Sequence, residues 1–177
     1  MIDKKTVFKF CPICRASLEV KNIDEAARLV CASCGWINYR NPVPVAVAAA
    51  LNARREVLII KRAFEPAAGR WSLPGGFVEY NEHPADTCIR ELQEETGIKG
   101  EIIRLLGIYN FSSRIHGSLL VVSYEVRALT EELKLNKEIS DAKFAEYKDV
   151  PYITFASHRK ILKDIFENNK KIRNAGI

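Results

Sequence analysis

Two sets of side chains in this sequence have the types and spacing to hold metal ions. Cys11-Pro12-Ile13-Cys14 and Cys31-Ala32-Ser33-Cys34 are two Cys-x-x-Cys pairs with 16 residues between them. Four thiolates so spaced match a tetrahedral zinc site, structural rather than catalytic because no coordination position stays open. Redox pairs or a disulfide clip are the alternative, and they belong to an oxidising compartment. The second set is Glu91, Glu94 and Glu95. On a helix turning about 100° per residue they share an arc of about 100°. Three carboxylates so close repel one another, and an isolated run of this kind is usually a solvated face. The bend Pro74-Gly75-Gly76 upstream changes the weighting. A main-chain carbonyl brought beside the carboxylates would complete a set of hard oxygen ligands, which is what Mg²⁺ requires.

The elements that must position these groups are legible around them. A helix is predicted over about Pro84 to Thr96, with proline and Asp86 in its first turn and Gly97 just past its end. Ala85, Cys88, Ile89, Leu92 and Thr96 lie on its core face, and Cys88 reads as a small buried hydrophobe. Val45 to Leu51 and Val57 to Lys61 read as strands joined by the turn Asn52-Ala53-Arg54-Arg55. Further strands are expected at Glu101 to Phe111, Leu119 to Ala128 and Ala142 to Tyr147. A second helix runs from Thr154 to about Lys170, through Ile161, Leu162, Ile165 and Phe166. Irregular interleaving of strands and helices predicts an α/β fold with a mixed sheet rather than a doubly wound one. Residues 1 to 41 are too few to build an apolar core, so metal ligation would supply much of their folding free energy. Pro42 and Pro44 mark the boundary with a domain spanning 42 to 177.

The stretch from Gly76 to Ile98 resembles the Nudix box, G-x5-E-x7-R-E-U-x-E-E-x-G-U with U a bulky aliphatic. Gly76, Glu82, Arg90, Glu91, Leu92, Glu94, Glu95, Gly97 and Ile98 satisfy every specified position. Phe64-Glu65-Pro66 through Arg70-Trp71-Ser72-Leu73 is similar to the usual approach to the box, and Ala145-Glu146-Tyr147 with Val150-Pro151 to the usual finish. Residues 1 to 41, with Gly35, Tyr39-Arg40 and Pro42 at their exit, resemble the zinc ribbon that precedes the catalytic domain in NADH pyrophosphatases and in some ADP-ribose or FAD pyrophosphatases. The resemblance implies a Nudix-type α/β/α sandwich after an N-terminal zinc ribbon. It also implies metal-dependent hydrolysis of a nucleoside diphosphate linked to another moiety, of dinucleotide, ADP-ribose, FAD or sugar-nucleotide type, with release of a nucleoside monophosphate.

In residue terms the resemblance makes Glu91, Glu94 and Glu95 ligands of Mg²⁺ or Mn²⁺, together with the main-chain carbonyl of Gly76. Glu91 is also a candidate base, as is Glu138 in a downstream loop. Arg90 pairs with Glu82 and orients a glutamate. Arg62 and Arg70, with Lys61, are candidates for the diphosphate. Phe64, Tyr80, Tyr109 and Phe111 are candidates for stacking on a base. His116, in the loop after Phe111, is not expected to have a catalytic role. The chain departs from the family in two places. It lacks the Ser-Gln-Pro-Trp-Pro-Phe-Pro-like run of NADH pyrophosphatases, and Arg114 and its neighbours stand where ADP-ribose pyrophosphatases carry a proline. The substrate is left open by these departures. Two other readings keep the same fold: a nucleotide sensor without catalysis, and an enzyme that removes caps from RNA 5′ ends.

Composition narrows the classes further. With 47% apolar and 28% charged residues the chain can bury a core. Its longest apolar run, Val43 to Leu51, is too short to cross a bilayer and contains Pro44. No apolar stretch of signal-peptide length follows Lys4 and Lys5, so a cytoplasmic protein is the expectation. The net charge of +5 suits an anionic ligand but is spread along the chain. Lys170, Lys171 and Arg173 come nearest to a basic stripe and read as a solvated helix end, so nucleic acid is not the expected partner. A homodimer is what the resemblance implies.

Overall fold

A computed structural model describes residues 8–113 and 115–174, with side chains through Glu167. The chain divides into two compact units, Met1–Asn41 and Pro42–Ile177. The first carries a three-stranded antiparallel sheet of β1 (Leu18–Ile23), β2 (Ala26–Cys31) and β3 (Ile37–Asn38), in that order. Asp24 and Glu25 turn the β1–β2 hairpin with positive φ at both positions, the conformation that joins two twisted strands tightly. Among the described residues its buried apolar ones are few: Cys11, Leu29, Val30 and Cys31.

The second unit is built on a seven-stranded sheet. Its strands are β4 (Val43–Leu51), β5 (Val57–Arg62), β6 (Trp71–Ser72), β7 (Gly75–Phe77), β8 (Gly100–Ser113), β9 (Gly117–Ala128) and β10 (Ile139–Ala145). The order is β10-β5-β4-β9-β8, with β6 on β5 and β7 on β4. The β4–β9 pair is parallel and the others antiparallel, so the sheet is mixed. Helix α1 (Pro84–Thr96) covers one face and α2 (Ala156–Asn174) the other.

Alternation along β4 assigns its side chains to the two faces. Val47, Ala49 and Leu51 join Ile59, Leu73, Ile161, Leu162 and Ile165 beneath α2. Ala46, Ala48 and Ala50 join Leu58, Cys88, Leu92, Ile98 and Val126 beneath α1. Three alanines in a row on that face leave room for the helix to lie close to the strand. This is the α/β/α layering expected of the Nudix fold.

Two local readings change. β4 and β5 share a single register pair at their hairpin, Leu51 with Val57, and then diverge. The Pro-Gly-Gly break becomes strand β7, which pairs Gly75 and Gly76 with Val47 and Ala46 in that gap. Strand β10 runs from Ile139 to Ala145 rather than from Ala142 to Tyr147, because its register follows β5 back to Arg62. Tyr147–Asp149 form a single 3-10 turn.

Candidate active site

Helix α1 begins on Pro84, whose missing N–H costs nothing in a first turn. The cap is His83, whose Nδ1 accepts from the Ala85 amide at 3.2 Å. Gly97 ends the helix at φ 73°, and its amide donates to the Gln93 carbonyl. The helix runs straight across the Gly75–Gly76 segment. A Cβ on Gly76 would meet Glu91 Oε1 at 2.2 Å, so any side chain there would displace the carboxylate from its place beside the backbone.

The three acids differ in surroundings. Glu95 is buried at 4% exposure, and its Oε2 accepts from the Gly75 amide at 3.0 Å. Loss of water pushes its carboxyl up to about 8, against the pull of the Gly75 amide and Arg62 and with the push of Glu91 and Glu138. Burial also raises Glu91, against the pull of Arg90. Glu94 is exposed. Arg90 ties the set together. Its Nε and Nη2 donate to Glu82 Oε1 and Oε2 at 2.7 and 3.0 Å, a bidentate pair. Its Nη1 donates to Glu91 at 2.8 Å and to Glu94 at 3.1 Å. Hydrogen bonds from Arg90, then Thr87 and the Glu79 amide, hold the Glu82 carboxyl down at about 2. One guanidinium thus joins the loop before α1 to two of the three acids.

Arg62 lines two cavities. One, of about 180 Å³, lies on the α2 side of the sheet among Val45, Phe77, Phe111, Leu119, Phe155 and His158. The other, of about 430 Å³, is polar and lined by Arg62, Phe64, Glu65, Lys137 and Glu138.

The four cysteines of the first unit also converge. Cys11 and Cys34 sulfurs stand 3.6 Å apart, Cys14 and Cys31 sulfurs 3.4 Å, and all four lie within 4.8 Å of one another. Four sulfurs about 2.3 Å from one tetrahedral ion are about 3.8 Å apart, so the cluster has the size of a zinc site. The thiols split: the Cys34 amide helps hold Cys31 down at about 7, while Cys34, against the pull of the Trp36 amide, is pushed up to about 12 by the neighbouring sulfurs.

Comparison with known proteins follows this division. The family model of the NUDIX domain matches residues 41–165, and that of the Nudix N-terminal zinc ribbon matches residues 9–40. The chain belongs to the Nudix family. An ADP-ribose pyrophosphatase of Methanocaldococcus jannaschii is 34% identical over 127 residues, 71% of this chain and 74% of the relative. Diphosphoinositol polyphosphate phosphohydrolase 2 of Mus musculus is 39% identical over 67 residues, which cover 38% of this chain and 36% of that protein. A NUDIX hydrolase from Nitrosomonas europaea, solved by crystallography, superposes with a TM-score of 0.80 at 27% identity, over 93% of each chain. The chain is a pyrophosphohydrolase of this family.

In this Nudix chain the box residues Gly76, Glu82, Arg90, Glu91, Glu94 and Glu95 come together, and the substrate candidates divide. Arg62 is half-buried between the cavities, its Nε donating to the Pro66 carbonyl at 2.9 Å. Glu138 lies close enough to Glu91 and Glu95 to raise both. Phe64 lines the polar cavity and Phe111 the apolar one. Arg70 is exposed and lines neither cavity, and its backbone closes the Arg62–Arg70 turn. Lys61 lies over Trp71 at 5.9 Å, and Tyr109 donates to Asp164 at 2.8 Å. Tyr80 is 94% exposed. His116 stands at the mouth of the apolar cavity, 5.0 Å from Phe77 between ring centres. Arg114 lies outside the described residues, as do the side chains of Lys170, Lys171 and Arg173.

Phe155 and His158 were not anticipated as site residues. A signal for His158 was present, because it precedes Ile161, Leu162 and Ile165 at helical spacing and is the polar member of that buried stripe.

Proposed function

We propose that this chain hydrolyses the diphosphate of a nucleoside diphosphate joined to a second moiety, with release of a nucleoside monophosphate. ADP-ribose is the first substrate to test. The observation that carries the reading is the meeting of Glu91 and Glu95 with the Gly75–Gly76 backbone beside a small apolar cavity and Arg62. The missing proline speaks against ADP-ribose, whereas the archaeal relative named for that activity brings it forward. An inositol pyrophosphate fits less well. Its many phosphates call for a cluster of Lys and Arg, and Arg62 is the one cation among the described residues lining the apolar cavity.

The donor set suits a hard divalent cation, Mg²⁺ or Mn²⁺, held by Glu91, Glu94, Glu95 and the carbonyl of Gly76. Unneutralised, the burial of Glu95 beside Glu91 is costly, and a cation there would offset it. Such an ion, when bound, polarises the phosphoryl group and eases deprotonation of the attacking water. The chain's own residues do the positioning. Arg90, anchored on Glu82, holds Glu91 and Glu94 by direct hydrogen bonds, and Arg62 offers a guanidinium to the diphosphate. Glu138 and Glu91 are the candidates to accept a proton from water. Cys11, Cys14, Cys31 and Cys34 would hold a structural Zn²⁺. On this reading residues 1–41 are the zinc ribbon and 42–177 the catalytic domain.

Hydrolysis of ADP-ribose, NADH, FAD, ADP-glucose and nucleoside triphosphates, with Mg²⁺ or Mn²⁺, tests the proposal. Glu94→Gln is expected to lower kcat on the best substrate by about 10²–10³-fold. Full activity in that variant would remove Glu94 from the ligand set. Ligand-dependent thermal stabilisation with no turnover of any compound would instead mark a nucleotide sensor.

A further inference from the structure

One buried polar group on the apolar cavity is left without a role by this chemistry. His158 is 9% exposed, packs its ring 5.1 Å from Phe155, and lines the cavity with Phe111, Leu119 and Ser157. Its Nδ1 accepts a hydrogen bond from the Leu73 amide at 3.0 Å. A backbone amide can only donate, so Nδ1 carries the lone pair and the proton of a neutral ring sits on Nε2. Burial, reinforced by the charge of Arg62, keeps the ring neutral by lowering its pKa to about 3. Among the described residues the Nε2–H has no hydrogen-bond partner. Thr154 Oγ1, not this atom, is the buried side-chain polar atom without a partner among the described residues, so the Nε2–H is open to the cavity.

The chain also fixes where this donor stands. The Thr154 amide donates to the Trp71 carbonyl, and Arg159 Nη1 donates to the Ile153 and Thr154 carbonyls, so the first turn of α2 is tied to β6. His158 is thereby held against the link between β6 and β7, two residues from Gly75. The cavity's size limits the occupant. About 180 Å³ is little more than the ~150 Å³ that holds one benzene ring in an engineered protein cavity, and well under the ~300 Å³ of the smallest complete ligand sites. It admits one ring system, walled by aromatic and aliphatic side chains, with a hydrogen-bond donor inside.

We propose that His158 is a specificity-determining residue whose Nε2–H donates to a ring acceptor of the nucleobase seated in this cavity. The assignment rests on the diphosphate reading above, which sets the phosphate end of the substrate beside Gly76. A base offering no acceptor there would cover the donor and leave it unpaired, and discrimination of that kind is strong.

Two measurements on the full chain decide it. In the first, the His158 imidazole is followed by nitrogen and proton NMR while AMP is added without divalent metal. An Nε2–H tautomer whose proton resonance shifts with AMP is expected. The opposite tautomer, or a proton that AMP leaves unmoved, overturns the assignment. In the second, kcat/KM for ADP-ribose is compared across wild type, His158→Asn and His158→Gln. Asparagine can accept from Leu73 in place of Nδ1 but brings no donor to the Nε2 position, whereas glutamine reaches it with an amide. His158→Asn is expected to lose about tenfold or more, chiefly in KM, and His158→Gln to recover most of that loss. Wild-type kinetics in His158→Asn would overturn the proposal. Should that variant not fold, the NMR measurement on wild type decides. Failure here is separable from failure of the reaction. A shifted Nε2 proton with no hydrolysis sinks the diphosphate reading alone, and hydrolysis indifferent to both tests sinks the His158 assignment alone.

Discussion

At the residue scale this Nudix chain shows one type of side chain put to different uses by its surroundings. Glu82, Glu91, Glu94 and Glu95 sit within 14 positions of sequence. Glu82 is held ionised by the Arg90 fork, Glu95 is pushed towards neutrality by burial, and Glu94 stays in solvent. Cys88 is likewise set apart from the other four cysteines. Burial raises its thiol to about 12, which makes it an inert core residue. His158 leads to a pH prediction. Its pKa of about 3 in the folded protein lies below the ordinary value of 6.5, so between those limits the unfolded chain takes up a proton that the folded chain refuses. The stability owed to the neutral ring is whole above about pH 6.5 and is lost as pH falls towards 3, by up to about 1.4 kcal/mol per pH unit. Denaturant titrations from pH 7 to 4 on wild type and His158→Asn check this. The slope over that range is expected to be shallower in the variant, and parallel slopes would refute the assignment of the proton to His158.

At the element scale, α1 is the piece on which geometry depends most. Its extent was readable from Pro84 and Gly97, because end signals are local: a proline fits a first turn and a glycine permits the left-handed stop. Its buried face was readable in part. Cys88 and Leu92 are fully buried as periodicity implied, but Glu95 is buried with them, its charge accommodated by the Gly75 amide from a different strand. Gly97→Ala is expected to destabilise by about 1 kcal/mol or more. The φ of 73° disfavours a side chain, and the new Cβ would meet Lys134 Cβ at 2.8 Å. A fall in melting temperature of several degrees, measured by circular dichroism, is the expected result. Unchanged melting would mean that the Lys134 segment yields freely.

At the scale of the whole molecule, the two units differ in what holds them. The second has buried apolar clusters on both faces of its sheet. Among the described residues the first has four buried apolar ones, two of them cysteines of the cluster. A chelator strong enough to strip zinc is therefore expected to unfold the first unit and leave the sheet of the second in place. Near one zinc per chain by elemental analysis, falling after Cys11→Ser and Cys14→Ser together, would support the ligand set. Amide exchange before and after chelation would localise the loss. Protection lost equally in both units would show that the second depends on the first. No described helix is long and apolar enough to cross a membrane.

What the sequence by itself determined is what local rules govern. The cysteine pairs, the box, the ends of α1 and the strands β4, β5, β8 and β9 depend on spacing, turn chemistry and periodicity within a few residues. Family and chemistry follow from these. The tertiary structure alone decided which distant residues share a space. Divergence of β4 from β5 opens the gap that β7 fills, and so sets Gly75 and Gly76 against α1. Closure of the chain brings Phe111 from β8, Phe155 and His158 from α2, and Arg62 from β5 around one cavity, while Arg70 turns to solvent. No short window of sequence encodes those meetings, because they arise from sheet order and from the packing of α2 on its far face.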